Sequence, residues 1–451
     1  MKIFSAIRFR QEWFLLLCPA FLITRGFAHF SASVQWQDAL ALFFEYGIWS
    51  VAISVGLSFF LPFRKAALLT TVLFLFNSVY SLVYEYSQKH QHRLFFTRFS
   101  FVFPVVLVLF FLLFFYLRKT KRNFGQLTNY LNVLFLVLIA TEVFQFAIDL
   151  KKRGDAVVAT MPCKRCPSPD VYLIIVDGYA GKTQLREQFK FDNTSFEDSL
   201  RLAGFHVVDS SISNYYATNV SMSSLLRMNF VEFDPDADVH APFNPNSVVD
   251  FFKKQNYRIV NNSFFTIDQQ FPQQPINVFR TGRGLLTQHT FIWQLNYVRH
   301  NLLAGIGYAG EIERLKRLGE ESRKLDQGRD SVTMQNLLAA AKSRGQSPKF
   351  IYTHFIMPHG PHLFDEYGRL QKDTGTEASR YISYHRYTNK QLLFGLDGVL
   401  KLSEKPPIIL LLSDHGSRIE SGGASHRLRF YNLAAVYLPN RDYKPFYKGM
   451  S

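Results

Sequence analysis

Apolar residues crowd the first third of the chain into five long stretches, at about 13–30, 39–62, 66–86, 99–117 and 128–148. Each approaches or exceeds the ~17–25 residues that a helix needs to cross a ~30 Å hydrocarbon layer. The fourth, Phe99 to Leu117, holds no charged residue. Beyond residue 150 the pattern changes to short apolar runs separated by helical periodicity, clearest at Val171–Val176, Phe350–Thr353 and Ile408–Leu412. Such continuous β-branched and Leu-rich runs predict parallel strands covered on both faces. The expected architecture is a multi-pass α-helical membrane domain of five helices over 1–150, a linker over 151–169, and an α/β domain over 170–451 with a mainly parallel central sheet flanked by helices. Residues 284–345 read as mainly helical. Within them Phe291–Val298 fits either an amphipathic segment on a membrane surface or a core-facing helix, and the core-facing helix is preferred.

Composition sharpens this picture. The chain has 451 residues, 46 of them Phe, and 51 Lys+Arg against 35 Asp+Glu, a net charge of +16. So many apolar residues and so few charges exclude disorder, and three Cys exclude a disulfide-dense scaffold. Much of the basic excess marks topology. Nine basic residues (Lys2, Arg8, Arg10, Arg64, Lys65, Arg118, Lys119, Lys121 and Arg122) fall on one side of the five stretches. The opposite loops hold only Lys89, Arg93 and Arg98. The nine mark the cytoplasmic side, so five spans predict a cytoplasmic N-terminus and a periplasmic or extracellular C-terminal domain. Arg25, Glu45, Glu85 and Glu142 then fall in the outward halves of their helices. They suggest a polar pocket for a lipid head group, or side chains that snorkel or pair with one another.

The chemistry-bearing residues follow the predicted strands. Asp177-Gly178 comes after the first, His354 after the second, and Ser413-Asp414-His415-Gly416 closes the third. Open parallel sheets hold ligands at the carboxyl ends of their strands, and carboxylates with imidazoles suit Zn²⁺ or Mn²⁺. A fourth segment runs from Asn214 to Leu226 as a polar loop entering a helix, with Thr218 near the helix start. A threonine there can be a nucleophile beside a metal, with free helix N–H groups facing a phosphoryl group, or it can be a plain N-cap.

Together these motifs resemble the alkaline phosphatase superfamily, and within it the membrane-anchored sulfatase-like transferases, namely phosphoethanolamine transferases and lipoteichoic acid synthases. The resemblance covers most of the chain in order. It implies Asp177, Asp414 and His415 as metal ligands, and Thr218 as a further ligand and as the nucleophile that forms a phosphothreonine. It implies His359 and His426 as histidines near the substrate phosphate, with His354 as a possible substitute for His359, and Asn214 joins them as a substrate-binding candidate. One divalent ion is expected, with room for a second. The implied reaction moves a phospho-head group of phosphoethanolamine or phosphoglycerol class from a membrane phospholipid to a glycan or glycolipid. The alternatives are a phosphodiesterase with water as acceptor and a non-catalytic membrane assembly protein.

Three departures stand out. The first ligand is Asp where the two named groups usually carry Glu. Ser417-Arg418 replaces an acidic residue often found after the Asp-His-Gly motif. The chain ends soon after Val436–Pro439, where relatives commonly continue, so either the sequence is a fragment or the domain is short of its last elements. Sulfatase chemistry needs a C/S-x-P-x-R pattern, and the sequence has none. Cys163 and Cys166 lack a second pair for a zinc site and could form a disulfide or stay as thiols. The basic residues beyond 150 are scattered and lack a groove-reading motif, so a nucleic-acid partner is not expected.

Overall fold

The apolar stretches form five helices, α1 (Phe14–Phe30), α2 (Trp36–Ser58), α3 (Phe63–Lys89), α4 (Phe99–Lys119) and α5 (Gly125–Gly154). The computed structural model describes residues 11–30, 34–89, 98–154, 169–231, 246–268, 270, 283–371, 374–419 and 426–443. Four of the five helices, α2 to α5, are long and apolar enough to cross a membrane. The first is shorter: its 17 described residues reach ~26 Å at 1.5 Å per residue. The five apolar stretches thus form the five helices expected of them. Phe14, Cys18 and Phe21 of α1 are buried against Ala67, Phe74 and Phe135. At one end of this bundle Lys65 donates to the carbonyls of Leu117 (2.9 Å) and Thr120 (2.6 Å). A cation there satisfies carbonyls that the end of a helix leaves without partners. Arg64 bonds Glu12 and Asn123.

The chain continues through β1 (Val171–Val176), α6 (Lys182–Glu187), α7 (Thr194–Leu202), β2 (His206–Val207), β3 (Ser211–Ile212), α8 (Thr218–Arg227), α9 (Ser247–Lys254) and β4 (Arg258–Asn262). Three helices follow, α10 (Arg283–Thr287), α11 (Phe291–Gly305) and α12 (Ala309–Lys342). Then come β5 (Lys349–Phe355), α13 (Glu377–Leu402), β6 (Ile408–Ser413), β7 (Tyr431–Asn432) and β8 (Ala434–Tyr437). Two compact units result: residues 1–155 with 280–318, and residues 156–279 with 319–451. Cys163 and Cys166 lie outside the described residues.

In the second unit a six-stranded sheet runs in the order β2-β8-β6-β1-β5-β4. The neighbours of β1 are both parallel to it, and β4 is parallel to β5, while β8 is antiparallel to β6. The three apolar runs seen in the sequence are thus the adjacent strands at the centre. Side chains alternate across the sheet. Tyr172, Ile174 and Val176 face a core built with α7, α12 and α13, whereas Val171, Leu173 and Ile175 face α8, α9 and Phe264–Phe265.

The segment around residue 291 departs from the preferred reading. Its helix, α11, has no buried residue and belongs to the unit of α1–α5. The Phe291 ring lies 5.2 Å from that of Phe76 and 5.4 Å from those of Tyr80 and Phe99. The Ile292 N–H donates to Asn77 at 2.9 Å. Ile292, Leu295, Tyr297 and Leu302 remain exposed, so the apolar positions of α11 do not form a stripe against an α/β core.

Candidate active site and metal centre

Register brings the candidate residues to one edge. Val176 pairs with Phe355 and with Ser413, so the residues after β1 and β6 emerge side by side. The chain turns sharply at Gly178, with φ at +65°, a conformation that costs glycine little. A Cβ at Gly178 would find room, in ordinary contact with His359 and His415, so the backbone conformation is what favours glycine. The Tyr381 hydroxyl donates to the Gly178 carbonyl at 3.0 Å and accepts from the Ala180 N–H.

Asp177, His354 and Asp414 each direct a ligand atom to one place, all within 4.8 Å of one another. All three are buried. Asp414 Oδ1 accepts the Gly178 and His415 N–H groups, both at 2.9 Å. Its Oδ2 is buried without a hydrogen-bond partner, as is His354 Nε2. Orphaned buried polar atoms are costly, and two of them facing the same acids fit a divalent cation. The other His354 nitrogen, Nδ1, pairs with the Tyr352 hydroxyl at 2.9 Å. Such an outer partner can orient a ligating imidazole. His354 thus sits in strand β5 as part of this cluster, whereas the sequence reading placed it after the strand as an alternative to His359.

His415 points in from the other side. Its Nδ1 donates to the Gly416 carbonyl at 2.6 Å, which leaves the Nε2 lone pair for the cluster in the neutral ring. That Nε2 lies 3.4 Å from Asp414 Oδ2 and 3.8 Å from Asp177 Oδ1. The Thr218 hydroxyl stands 3.2 Å from His415 Nε2 and 3.4 Å from Asp177 Oδ1. The capping residue of α8 is Ala217, and Thr218 is the first helical residue. Its hydroxyl is therefore turned to the cluster and does not serve as an N-cap.

Electrostatics follow burial and neighbours. Burial, reinforced by the charge of Asp414, holds the Asp177 carboxyl well above the usual range. Burial works against ionisation of Asp414 too, but His415, His354 and the Gly178 N–H hold it below that range. Burial lowers His354 to about 4, so its imidazole stays neutral and able to ligate.

His359 lies beside this group and has an unforeseen partner. Its Nδ1 donates to the Gly360 carbonyl (2.8 Å) and its Nε2 accepts from Arg418 Nη2 (2.7 Å). The exposed Arg418 guanidinium thus stands at the edge of the site, where an acidic residue was expected from the resemblance. His426, exposed at the start of a 3-10 turn, has no contact with the cluster among the described residues. Asn214 is exposed in the loop before α8 and shares with Asp414, Met222 and Phe230 a cavity of about 560 Å³.

Asp330 on α12 was invisible to motif reading. Its two carboxylate oxygens accept the N–H groups of Ile356 (2.9 Å) and Met357 (3.1 Å), anchoring the segment between His354 and His359. Desolvation raises its pKa to about 6 despite these bonds. Protonation of Asp330 therefore favours the folded chain: that contribution is complete below about pH 4 and is lost as pH rises through about 6. It amounts to roughly 3 kcal/mol. Asp330→Asn is expected to flatten the fall in stability between those pH values, measured as denaturation midpoints of the detergent-solubilised chain. An unchanged pH profile would refute this.

The sulfatase family profile matches residues 179–438. Solved structures similar to the chain include a 2-O GAG sulfatase, with 12% identity over 60% of this chain and 65% of that one, TM-score 0.37. A putative sulfatase from Bacteroides thetaiotaomicron shows 11% identity over 60% and 65%, TM-score 0.38. The C-terminal periplasmic domain of EcEptC from Escherichia coli, in complex with Zn, shows 12% identity over 61% and 74%, TM-score 0.37. The chain thus spans about 65% of the length of the first two. No curated protein matches its sequence.

Proposed function

As the chain belongs to the sulfatase family, an enzyme family of the alkaline phosphatase superfamily, we propose that it transfers a phospho-head group from a membrane phospholipid to an extracytoplasmic glycan or glycolipid. The observation that carries this reading is the Thr218 hydroxyl at the first turn of α8, 3.4 Å from Asp177 and 3.2 Å from His415. A nucleophile of this kind forms an ester that a second substrate can discharge. Asp177, His354, Asp414 and His415 would hold the metal, Zn²⁺ or Mn²⁺. When bound, a divalent ion supplies Lewis acidity and eases deprotonation of a hydroxyl beside it.

In the first half-reaction Thr218 Oγ1 bonds to phosphorus, the bond from phosphorus to the glycerol oxygen breaks, and diacylglycerol leaves with the proton that Thr218 gives up. In the second, an acceptor hydroxyl takes the phospho-head group and Thr218 regains a proton. The free N–H groups at the start of α8 would be donors to the phosphoryl oxygens of a substrate at Thr218. Arg418, held by His359, adds a fixed cation at the rim. Charge-assisted bonds of this type are worth about 1.5–3 kcal/mol. Arg418→Gln is accordingly expected to raise KM about ten- to hundredfold with a smaller change in kcat, and equal losses in both would argue against a binding role.

Sulfatase chemistry in the strict sense is not proposed, because threonine stands where formylglycine would have to form. The loops α2–α3 and α4–α5 carry Arg64, Lys65, Arg118, Lys119, Lys121 and Arg122. By the positive-inside rule they lie in the cytoplasm. The chain after α5 then emerges on the opposite side, whether or not α1 crosses. The test is intact-mass measurement of the protein isolated from its membranes. A covalent adduct on Thr218 identifies the transferred group by its mass, and the same adduct on Thr218→Ala would sink the nucleophile. Comparing head-group transfer with free head-group release separates a transferase from a hydrolase.

A further inference from the structure

The helical unit contains a cavity of about 990 Å³ that the proposed chemistry does not use. It opens among α1, α2, α3, α5 and the 286–290 segment, toward the end of the bundle where α1 stops and α2 begins. One part of its wall is apolar, with Phe21, Leu42, Leu75, Val79 and Phe146. The other carries Arg25, His29, Glu142, Gln145 and Gln288. Among the described residues Arg25 and Glu142 form one ion pair, stretched to 3.5 Å, with the Arg25 side chain 68% exposed. Glu45, which the sequence reading grouped with them, is instead paired with Arg283, and the side chain of Glu85 lies outside the described residues.

A guanidinium and a carboxylate among membrane-length helices are expensive unless something completes their coordination. A 3.5 Å contact does so poorly. The wall is amphipathic, its volume suits a drug-sized or larger ligand, and its two charges are opposite and adjacent. We infer that this cavity binds the head group of a zwitterionic phospholipid, with the phosphate on Arg25, the cationic end toward Glu142 and the upper acyl chains along the apolar wall. Arginine suits a phosphate because its planar fork presents paired donors. A purely anionic head group would leave Glu142 without a counter-charge. The inference deepens the proposed function by naming the donor class and rests on it for that role, but the binding itself does not depend on catalysis.

The experiment is native mass spectrometry of the full chain in detergent on a Thr218→Ala background, so that turnover cannot consume the lipid. Phosphatidylethanolamine, phosphatidylglycerol, diacylglycerol and free phosphoethanolamine are titrated separately. Phosphatidylethanolamine is expected to bind at least tenfold more tightly than the other three. Arg25→Gln should weaken it at least tenfold, and Arg25→Lys should restore part of the loss. Ser78→Trp, which fills the cavity without touching either charge, should also abolish binding while metal content stays unchanged. Equal binding of diacylglycerol, of phosphatidylglycerol or of the free head group would overturn the assignment. So would undiminished lipid binding in both Arg25→Gln and Ser78→Trp. If lipid binds as described but the wild-type chain never carries an adduct on Thr218, the catalytic reading fails and this site stands.

Discussion

Thr218→Ala is expected to abolish head-group transfer, with a loss of at least about 10³-fold. The substitution is clean because of where the residue sits. Ala217 fills the capping position of α8 and Thr218 the first helical one, so the hydroxyl contributes nothing to the cap and alanine is a good helix former. What disappears is Oγ1, with its contacts to Asp177 and His415. The melting temperature of the variant should stay within a few degrees of wild type, which separates loss of chemistry from loss of fold. Thr218→Ser keeps the oxygen and should recover measurable transfer. A Thr218→Ala chain that still transfers the head group would place the nucleophile elsewhere.

Asp414→Asn should be equally damaging by a different route. Asp414 Oδ1 holds the Gly178 and His415 N–H groups, and an asparagine oxygen can keep both bonds. Its amide nitrogen would then take the place of Oδ2, presenting hydrogens where the orphaned acceptor had been. The turn survives and the ligand is lost. Metal affinity is expected to fall by at least about 100-fold, more than outer-shell substitutions usually cost, as read by metal content after dialysis and by competition with a chelator. His354→Gln tests the same centre from β5. Because its Nε2 is the other orphan, metal affinity should drop here too. If the metal remained bound and only KM rose, His354 would serve the substrate, the role that the sequence left open for it.

The central strands and the acids and imidazole that follow them were legible because each sits in a local pattern: an apolar run, then Asp177-Gly178 or Ser413-Asp414-His415-Gly416. Thr218 was legible as a polar residue at a helix start, although only the coordinates show that Ala217 takes the capping role. The ligand-like place of His354 was not, since that depends on strand β5 running two residues further than its apolar pattern, so that His354 falls on the same face as Tyr352. Arg418 was visible as a departure, but its hold on His359 spans 59 positions and leaves no trace in local spacing. Asp330 lies in a long charged helix, where one more acid carries no signal. The five N-terminal helices were legible because each is a long apolar run bounded by polar residues. α11 was misassigned because apolar residues on several sides suit a core and a lipid-rich surrounding alike.

The path of the polypeptide has a consequence for dissecting the protein. Between β4 and β5, two neighbours in one sheet, the chain leaves to contribute residues 280–318 to the unit of α1–α5 and then returns. Neither unit is therefore a single stretch of sequence. A fragment begun at residue 169 to free the catalytic half would carry α10 and α11 without the helices that Phe291 packs against, leaving an apolar segment without its packing partners. Such a fragment should aggregate unless residues 283–308 are replaced by a short polar bridge. For the ribosome the same path means that the sheet cannot be completed until the excursion has been made, so the first half of the catalytic unit must wait for the second.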